Sequence, residues 1–540
     1  MKLFLKAAAA VVLTTAVVGC KSFLDINANP NNATSETPDA ILGVALANTA
    51  ANYTGGAAVG ANDNYNSLNS FTAAYWSKSG TVSGFSPERT YNYSNTYNQF
   101  LWSNTYDNLN DYQIIQTNGV TSGYPNHAAI ARIMKVYNFL LLVDEYGDIP
   151  YTNALKGLTN TAPTYDKAAD IYKDFIVQLK GAITDIDAAA ALKNPSARGV
   201  GPEDIVFKGD MTKWKQFANS LRLRILLRES QTNDGALNTY VATEMKTLQA
   251  DANGFITADV VAQPGYATNT NQQNPFYNRY GFGVGLTRAT TEYSFVIPTN
   301  YIIKQYISNN DSARIARLYR VGMKDSVAAY LGGTLGEAIS PQFDPSTPNV
   351  GSRFLQGGTF LSGPNAPTVL MLLSEQLFSK AEAETRNLFT GGDAAAMTDY
   401  YDGIKSSFIF TFRAPTVAPA PLSATTTAPG VAQYNAYIAK NANNPQVSYT
   451  LATSTGNLGK QYVILYQKYL AENTVASTEA WDDYRRAAQP KIPASLQSNS
   501  SRPDKLPTRL LYPLSESSTN GSNVPTNVTQ FTPIFWDVVD

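Results

Sequence analysis

A single cysteine, Cys20, occupies a position at which a lipid can be attached covalently. It follows Lys2, Lys6 and an apolar stretch over residues 7–18, and small residues precede it directly. This order is typical of a bacterial secretory signal, and a cysteine at the cleavage point provides the thiol that receives diacylglycerol. We therefore predict a lipoprotein signal peptide at residues 1–19 and lipidation at Cys20. The alternative is an ordinary signal peptide in which the cysteine occurs by chance.

The predicted anchor is the acylated cysteine and not a membrane-spanning helix. The apolar stretch before Cys20 is too short to span a bilayer, and no later segment of the sequence is long and apolar enough. Each methylene group of an acyl chain that is buried in the membrane contributes about 0.8 kcal/mol to the free energy of membrane binding. Because no second cysteine exists, the sequence excludes disulfides and cysteine-based metal sites.

Residues 20–35 are rich in Asp, Asn and Pro, and we interpret them as a flexible tether. Oxygen-bearing side chains from Asp25 to Glu36 partly match the spacing of a calcium-binding loop. However, Pro30 stands where such a loop needs glycine for its sharp turn, and proline fixes φ near −65°. We therefore predict a tether with Asx turns and no metal site, and a calcium loop is the alternative. No cofactor is predicted for the protein.

Catalytic residues are scarce. His127 is the only histidine, which excludes histidine-based triads and sites with several histidine ligands. We expect it to be a surface or capping residue at the start of a helix.

Asp482 and Asp483 are followed by Arg485 and Arg486, so we expect these carboxylates to form structural ion pairs. We predict that the protein is not an enzyme. A glycan-cleaving enzyme stays open as an alternative, because two carboxylates can meet in space without being neighbours in sequence.

The composition favours a neutral, aromatic, hydrogen-bonding surface. Only 15% of the residues are charged and 11% are aromatic, with 33 tyrosines, and the formal net charge is −1. With no surplus of basic residues, nucleic acid is excluded as a partner. Such a surface suits uncharged polar ligands, although many exported proteins share this composition.

The scaffold is predicted to be mainly helical. Apolar residues recur at three- and four-residue spacing from residue 128 until Gly147 and Pro150 end the pattern. Similar patterns predict helices at 35–52, 98–116, 166–190, 211–230, 298–309, 367–388, 393–407, 457–473 and 477–488. Long polar and aromatic connections are expected at 53–97, 252–297, 325–366, 409–430 and 489–540. Connections of this length are usually functional or disordered.

Several ordered motifs resemble those of one family. They lie at residues 23–31, 102–106, 143–151, 209–224, 274–275, 311–315, 375–383, 401–407, 479–486 and 509–516. In this order and over nearly the whole chain, they resemble the SusD/RagB family of nutrient-binding outer-membrane lipoproteins, in particular its SusD-like branch. The resemblance implies a mainly α SusD-like fold of tetratricopeptide-like helix pairs with a loop-rich second lobe. On this basis residues 36–540 are expected to form a single SusD-like domain.

The resemblance also implies a function without catalysis. Such proteins lie on the cell surface of the outer membrane and cover a SusC-type TonB-dependent transporter as a lid. They capture oligosaccharide or peptide nutrients, and the membrane is contacted through the lipid anchor only. The alternative is a structural lid that has no ligand affinity of its own. The sequence does not identify the nutrient.

Ligand-binding residues are predicted in the loops at 53–97 and 252–297. A sugar site needs aromatic rings for stacking and polar side chains that accept or donate hydrogen bonds to hydroxyl groups. The candidates from these two loops are Trp76, Arg89, Tyr91, Tyr93, Asn269, Tyr277, Arg279 and Tyr280. For each of them, packing within the protein is the alternative.

Overall fold

The computed structural model describes residues 36–56, 63–82, 86–192, 196–286, 288–453, 456, 459–502 and 504–537. The predicted signal peptide, Cys20 and the tether at 20–35 lie outside these residues. Parts of the predicted ligand loop at 53–97 also lie outside them.

Helices dominate the described residues, and the prediction of a mainly α fold is confirmed. The helices are α1 Pro38–Thr54, α2 Tyr65–Thr72, α3 Ser86–Thr90, α4 Phe100–Gly119, α5 Pro125–Tyr146, α6 Ala168–Leu192, α7 Met211–Arg228, α8 Gly235–Gln249, α9 Pro275–Tyr280, α10 Thr291–Phe295, α11 Asn300–Ser308, α12 Ser312–Leu318, α13 Leu373–Thr385, α14 Gly392–Phe412, α15 Val431–Lys440, α16 Lys460–Glu472, α17 Ser477–Ala487 and α18 Leu514–Thr519. Short 3₁₀ turns occur at Gly157–Thr159, Leu422–Ala424 and Tyr449–Leu451.

The strands are short and pair antiparallel in twos. They are β1 Trp76–Lys78, β2 Ile149–Pro150, β3 Tyr165–Asp166, β4 Val260–Ala262, β5 Val296–Pro298, β6 Tyr319–Arg320, β7 Gly322–Lys324, β8 Val327–Ala329, β9 Arg353–Phe354 and β10 Thr368–Met371. The pairs are β1 with β5, β2 with β3, β4 with β10, β6 with β9 and β7 with β8. These strands fasten loops to one another and form no extended sheet in the described part of the chain.

The long helices pack against their neighbours in sequence. Helix α4 packs on α5, α5 on α6 and α6 on α7, while α13 packs on both α14 and α16. Their ends follow ordinary capping chemistry. The side chain of Asp210 accepts hydrogen bonds from the first free N–H groups of α7. Helix α5 ends at Gly147, which has a φ of 74° and donates its N–H to the Val143 carbonyl at 2.8 Å.

Nearly all the predicted helices coincide with observed helices to within a few residues. The pattern at 367–388 is the main exception, because its first residues form β10 and the helix begins only at Leu373. Helices α8 and α15 have no counterpart among the predicted helices, and the same holds for the short helices α2, α3, α9, α10, α12 and α18. His127 is also placed wrongly: it is fully buried, and its Nε2 lies 2.9 Å from the Glu203 carboxylate.

The apolar core has three parts. The largest lies between α1 and the helices α4 to α8. A second is built on Trp76, Tyr280, Phe354 and Trp481, and we call the surrounding elements β1, α9 to α12 and β5 to β9 the loop lobe. The third lies between α13, α14 and α16. Helices therefore form one side of the molecule, and the loop lobe packs on them through the second core.

Buried charges join helix α17 to the helices α5, α7 and α13. We call these seven side chains the ion cluster: Asp144, Arg224, Arg228, Glu375, Glu479, Asp482 and Arg485. Arg228 pairs with Asp144 and Glu479, and its Nη2 lies 2.7 Å from Asp482. Arg224 donates to both oxygens of Glu375, at 2.8 and 3.0 Å. A buried charge is costly unless it is paired, and here each guanidinium faces carboxylates.

A neighbouring pair extends this arrangement along α17. Arg486 donates to both oxygens of Glu382 at 2.7 Å and also contacts Asp483. Burial opposes ionisation of Glu382, but the adjacent Arg486 guanidinium outweighs it and holds the pKa of that carboxyl well below its usual value. The expected ion pairs of Asp482 with Arg485 and of Asp483 with Arg486 are thus confirmed.

Breaking the ion cluster should destabilise the protein strongly. The substitution Arg228→Met leaves Asp144, Glu479 and Asp482 buried without their shared cation, so we expect the free energy of unfolding to fall by about 3–5 kcal/mol. Chemical denaturation followed by circular dichroism measures this loss. The matched control is Lys167→Met, which removes the exposed ion pair with Asp148 and should cost less than about 1 kcal/mol. Equal losses in the two variants would contradict a stabilising role for the cluster.

Glu229, at the end of α7, should make stability depend on pH. Burial raises the pKa of this carboxyl to about 8, with a smaller opposing effect from Lys173, and neither oxygen has a hydrogen-bond partner among the described residues. The folded-state pKa lies above that of the unfolded chain, so stability is fully present below the unfolded pKa, near 4.5, and is lost as the pH rises through about 8.

Replacing Glu229 with glutamine removes this ionisation. We therefore expect Glu229→Gln to be more stable than the parent at pH 8 to 9, by on the order of 1–3 kcal/mol, with the difference vanishing toward pH 4.5. Denaturation curves recorded across this pH range measure the difference. The exposed Glu36→Gln serves as the control and should show no such trend. A constant difference across the range would disprove the assignment to Glu229.

Candidate ligand-binding site

The structure brings the two predicted ligand loops together. Strand β1, from the loop at 53–97, pairs with β5 at the end of the loop at 252–297, with Trp76 opposite Pro298. Gly55 lies directly against Pro275, where a side chain on residue 55 would meet the proline backbone. The two segments that were singled out separately in the sequence are therefore neighbours in the fold.

Their aromatic residues, however, face inward. Of the eight candidates, Trp76, Tyr91, Tyr93, Tyr277 and Tyr280 are buried, with exposures between 0% and 6%. The Trp76 ring lies edge-on to Tyr280 at 5.0 Å, and its Nε1 donates to Thr474 at 2.9 Å. A ring without an exposed face cannot stack on a sugar, so the predicted ligand contacts of these five residues are corrected to core packing.

The reason for this correction lies in parts of the chain that are distant in sequence. Around Trp76 the sequence is polar, but β5 and the segment at 473–475 cover it. Tyr91 accepts a hydrogen bond from the backbone N–H of Ser495 at 2.8 Å, within the C-terminal connection. The residues that cover Trp76 and Tyr91 are distant in sequence, so the sequence around these two residues does not indicate that they are buried.

The other three candidates keep access to solvent. Arg89 is half-buried, and the side-chain amide of the exposed Asn269 donates to Gln272 at 2.9 Å. Arg279 is half-buried and forms an ion pair with Glu292 at 3.2 Å. Ligand contact by Arg89, Asn269 and Arg279 stays a prediction.

A cleft of about 550 Å³ opens beside the loop at 252–297. Half-buried rings of Phe207 and Tyr266 line it, together with Pro367 and the proline-rich segment at 415–419. Its polar lining consists of Lys208, Lys213, Gln216, Asp259, Gln263 and Asn365. Concave sites with apolar walls and a few polar side chains are the usual form of small-ligand sites.

Tyr266 is held in place at this cleft. Its backbone N–H donates to the Gln263 side chain at 2.9 Å, and its hydroxyl accepts a hydrogen bond from Thr368 at 3.3 Å. Burial raises the pKa of Tyr266 to about 12, so the phenol stays neutral at physiological pH. A fixed, uncharged ring costs little entropy when it stacks against a ligand.

An ion pair fixes the other wall. Arg413, at the end of α14, pairs with Asp259, whose second oxygen accepts the Leu373 N–H at 2.8 Å. This pair holds the proline-rich segment after α14 against the residues before β4. The cleft shares Pro367 and Pro415 with a pocket of about 90 Å³, and it shares Asp259 and Val417 with another of about 160 Å³. We call these three adjoining cavities the groove.

The groove suits binding rather than hydrolysis. Asp259 is the only carboxylate among the described residues that line the 550 Å³ cleft, and Arg413 neutralises it. Glycoside hydrolysis generally needs two carboxylates facing each other across the scissile bond. The arrangement instead offers rings, amides and two lysines to a polar ligand.

Most residues of this groove are absent from the sequence-based predictions. Tyr266 is not among the eight predicted ligand contacts, and the segment at 409–430 was predicted only as one of the long connections. Asp259 and Arg413 are 154 residues apart, so their pairing leaves no local signal. The usable signal was the length and proline content of the connection after α14.

Sequence and fold comparisons identify the family. The family model described as "SusD-like_2: Starch-binding associating with outer membrane" matches residues 30–513. The chain belongs to the SusD-like family. No curated relative matches this SusD-like chain in sequence.

Solved structures share the fold of this SusD-like protein at low sequence identity. A SusD homolog from Bacteroides fragilis is 21% identical, with a TM-score of 0.69 over 93% of this chain and 99% of that chain. A chitin-binding SusD homolog from Flavobacterium johnsoniae is also 21% identical, with a TM-score of 0.67 over 87% and 93%. A SusD homolog from Bacteroides uniformis is 22% identical, with a TM-score of 0.66 over 92% and 99%. These similarities establish the fold alone.

Within the described residues, no helix combines the length and apolar character needed to cross a bilayer. In the same part of the chain, no group of three or more histidine, cysteine, aspartate or glutamate side chains could hold a metal ion.

Proposed function

We propose that this protein is a lipid-anchored outer-membrane protein that binds oligosaccharide at the cell surface and delivers it to a SusC-type TonB-dependent transporter. The observation that carries the binding role is the 550 Å³ cleft, where Phe207 and Tyr266 face polar side chains. The description of the family as starch-binding and outer-membrane-associated supports it, as does the chitin-binding relative with the same fold.

The cleft provides both kinds of contact that a sugar requires. The aromatic faces of Phe207 and Tyr266 match the apolar C–H faces of a pyranose ring. Gln216 and Asn365 can donate and accept hydrogen bonds with hydroxyl groups at the rim. The groove continues past Pro367 and Pro415, which gives room for an extended chain and not only for a single sugar.

Anchoring and partnership belong to the same proposal. Lipidation of Cys20 and the tether at 20–35 would leave the body free to move over the transporter as a lid. The transporter and the surface location follow from the family resemblance. Peptide is the alternative nutrient, and a structural lid without ligand affinity is the alternative role.

Binding through the cleft can be tested by titration calorimetry of the mature protein with neutral oligosaccharides of starch and chitin and with peptides. We expect one of the glycans to bind and Tyr266→Ala to weaken its binding about tenfold, because the stacking surface is lost. The control Tyr266→Phe keeps the ring and should retain affinity to within about threefold. Binding of peptides alone would replace the glycan assignment, and no binding at all would favour the structural lid.

The anchor can be tested at Cys20. The substitution Cys20→Ala removes the thiol that accepts diacylglycerol, so we expect loss of labelling by radioactive palmitate and loss of the protein from the outer-membrane fraction. Residues 1–19 are unchanged in this variant, so the experiment tests the thiol and not the export signal. The control is Ser22→Ala, a neighbouring substitution that should leave palmitate labelling normal. Continued palmitate labelling of the Cys20→Ala protein would rule out Cys20 as the anchor.

A further inference from the structure

Two arginines lie side by side on one face of the loop lobe. Strands β6 and β9 pair antiparallel, with Tyr319 opposite Phe354 and Arg320 opposite Arg353. Directly opposed residues of an antiparallel pair project their side chains on the same face. Arg320 and Arg353 therefore place two positive charges together, and neither of them lines the cleft described above.

Arg353 is held rigidly although it is charged. It is 8% exposed, and its guanidinium lies over the Phe343 ring at 4.0 Å and near the Tyr293 ring at 5.8 Å. The Tyr293 hydroxyl is fixed in turn, because it donates to the Phe354 carbonyl at 3.0 Å. Stacking against an aromatic ring fixes the orientation of the planar guanidinium. Its N–H groups lie in the plane of the guanidinium and can still bind a ligand there.

No acidic side chain in the described part of the chain pairs with these two arginines. Neither forms an ion pair with any described residue, and the Nε of Arg353 has no hydrogen-bond partner there. Burial lowers the pKa of Arg353, and the neighbouring Arg320 charge lowers it further. The buried Arg224, Arg228 and Arg314, in contrast, each face a carboxylate. The pair at β6 and β9 thus lacks the counter-charge that these three arginines have.

The geometry points to Arg320 and Arg353 as a second binding site, for the anionic group of an acidic oligosaccharide. A carboxylate or a sulfate ester offers two oxygens that match the fork of a guanidinium. Arg320 is exposed and meets the anion from solvent, while Arg353 binds it from beside Phe343. The half-buried Phe343 ring offers part of its face to the adjoining sugar. That the ligand is a glycan rests on the proposed function.

The loop at 53–97 borders this site. The backbone N–H of Phe343 donates to the Thr81 hydroxyl at 2.9 Å, and Thr81 is exposed. Gly80 donates its N–H to the carbonyl of Pro341 at 2.8 Å. The loop predicted to bind ligand therefore lies beside this site, but the side chains of the site come from later segments.

The experiment is titration calorimetry of the mature protein with three probes of matched length. These are a galacturonate oligomer, its fully methyl-esterified form and a sulfated galactose oligomer. We expect at least one anionic oligomer to bind at least tenfold more tightly than the methyl ester at low salt, with an advantage that shrinks as salt rises. The galacturonate and sulfate arms distinguish a carboxylate from a sulfate ester as the group that is bound.

The variants assign this binding to the arginines. Arg320→Gln, at an exposed position, should weaken the favoured anionic oligomer about tenfold and leave the melting temperature unchanged. Arg353→Lys keeps the charge but loses the planar fork, and should weaken binding as well. The control is the exposed Lys304→Gln on α11, which should leave affinity unchanged.

Two outcomes would overturn the assignment. One is that neither anionic oligomer binds more tightly than the methyl ester, and the other is that Arg320→Gln and Arg353→Lys both bind as the parent does. Tyr266→Ala separates the two proposals: failure of the anion site leaves neutral glycan binding at the cleft intact. If instead the cleft binds no neutral glycan, the acidic oligomer should still bind in a way that depends on salt and on the two arginines.

Discussion

The fold depends on placing charged groups where water cannot reach them. The ion cluster joins α5, α7, α13 and α17, four helices that come from widely separated parts of the chain. Apolar contacts can persist when two helices shift slightly against each other. A buried guanidinium between carboxylates, in contrast, keeps its ion pairs and hydrogen bonds only in a specific arrangement of the helices. Arg485 adds backbone contacts, since it donates to the carbonyls of Asp144 and Thr508 at 2.6 Å each. The cluster therefore fixes the relative positions of the helices, and these in turn support the loop lobe.

Around this rigid frame the loops divide into two kinds. Those that carry the most aromatic residues fold inward and form the second core around Trp76. Those that keep polar or proline-rich surfaces form the groove at Tyr266 and the arginine pair at β6 and β9. In this protein a high content of aromatic residues therefore indicates a buried loop. The accessible ring of Tyr266, in contrast, has a polar side chain hydrogen-bonded to its hydroxyl group.

Helices were predictable from the sequence because their signals are local. Periodic apolar residues and caps such as Asp210 and Gly147 act within a few residues of one another. Even the missed helix α8 carries such a signal, with Leu237, Val241 and Met245 on one buried face. The family was recognisable for a related reason, since motifs such as 479–486 supply the charges of the ion cluster. The binding surfaces were not predictable, because Trp76 is covered, and Asp259 is paired, by residues far away in sequence.

The distance along the chain between partners of the ion cluster has a consequence for biosynthesis. Arg485 contacts the carbonyl of Asp144 across 341 residues, and Arg228 contacts Glu479 across 251. The helical frame cannot close until α17 has left the ribosome, and contacts of such long range slow folding. The nascent chain therefore lacks these contacts through most of its synthesis. That is the state in which a polypeptide must be held if it is to be threaded across a membrane before it folds.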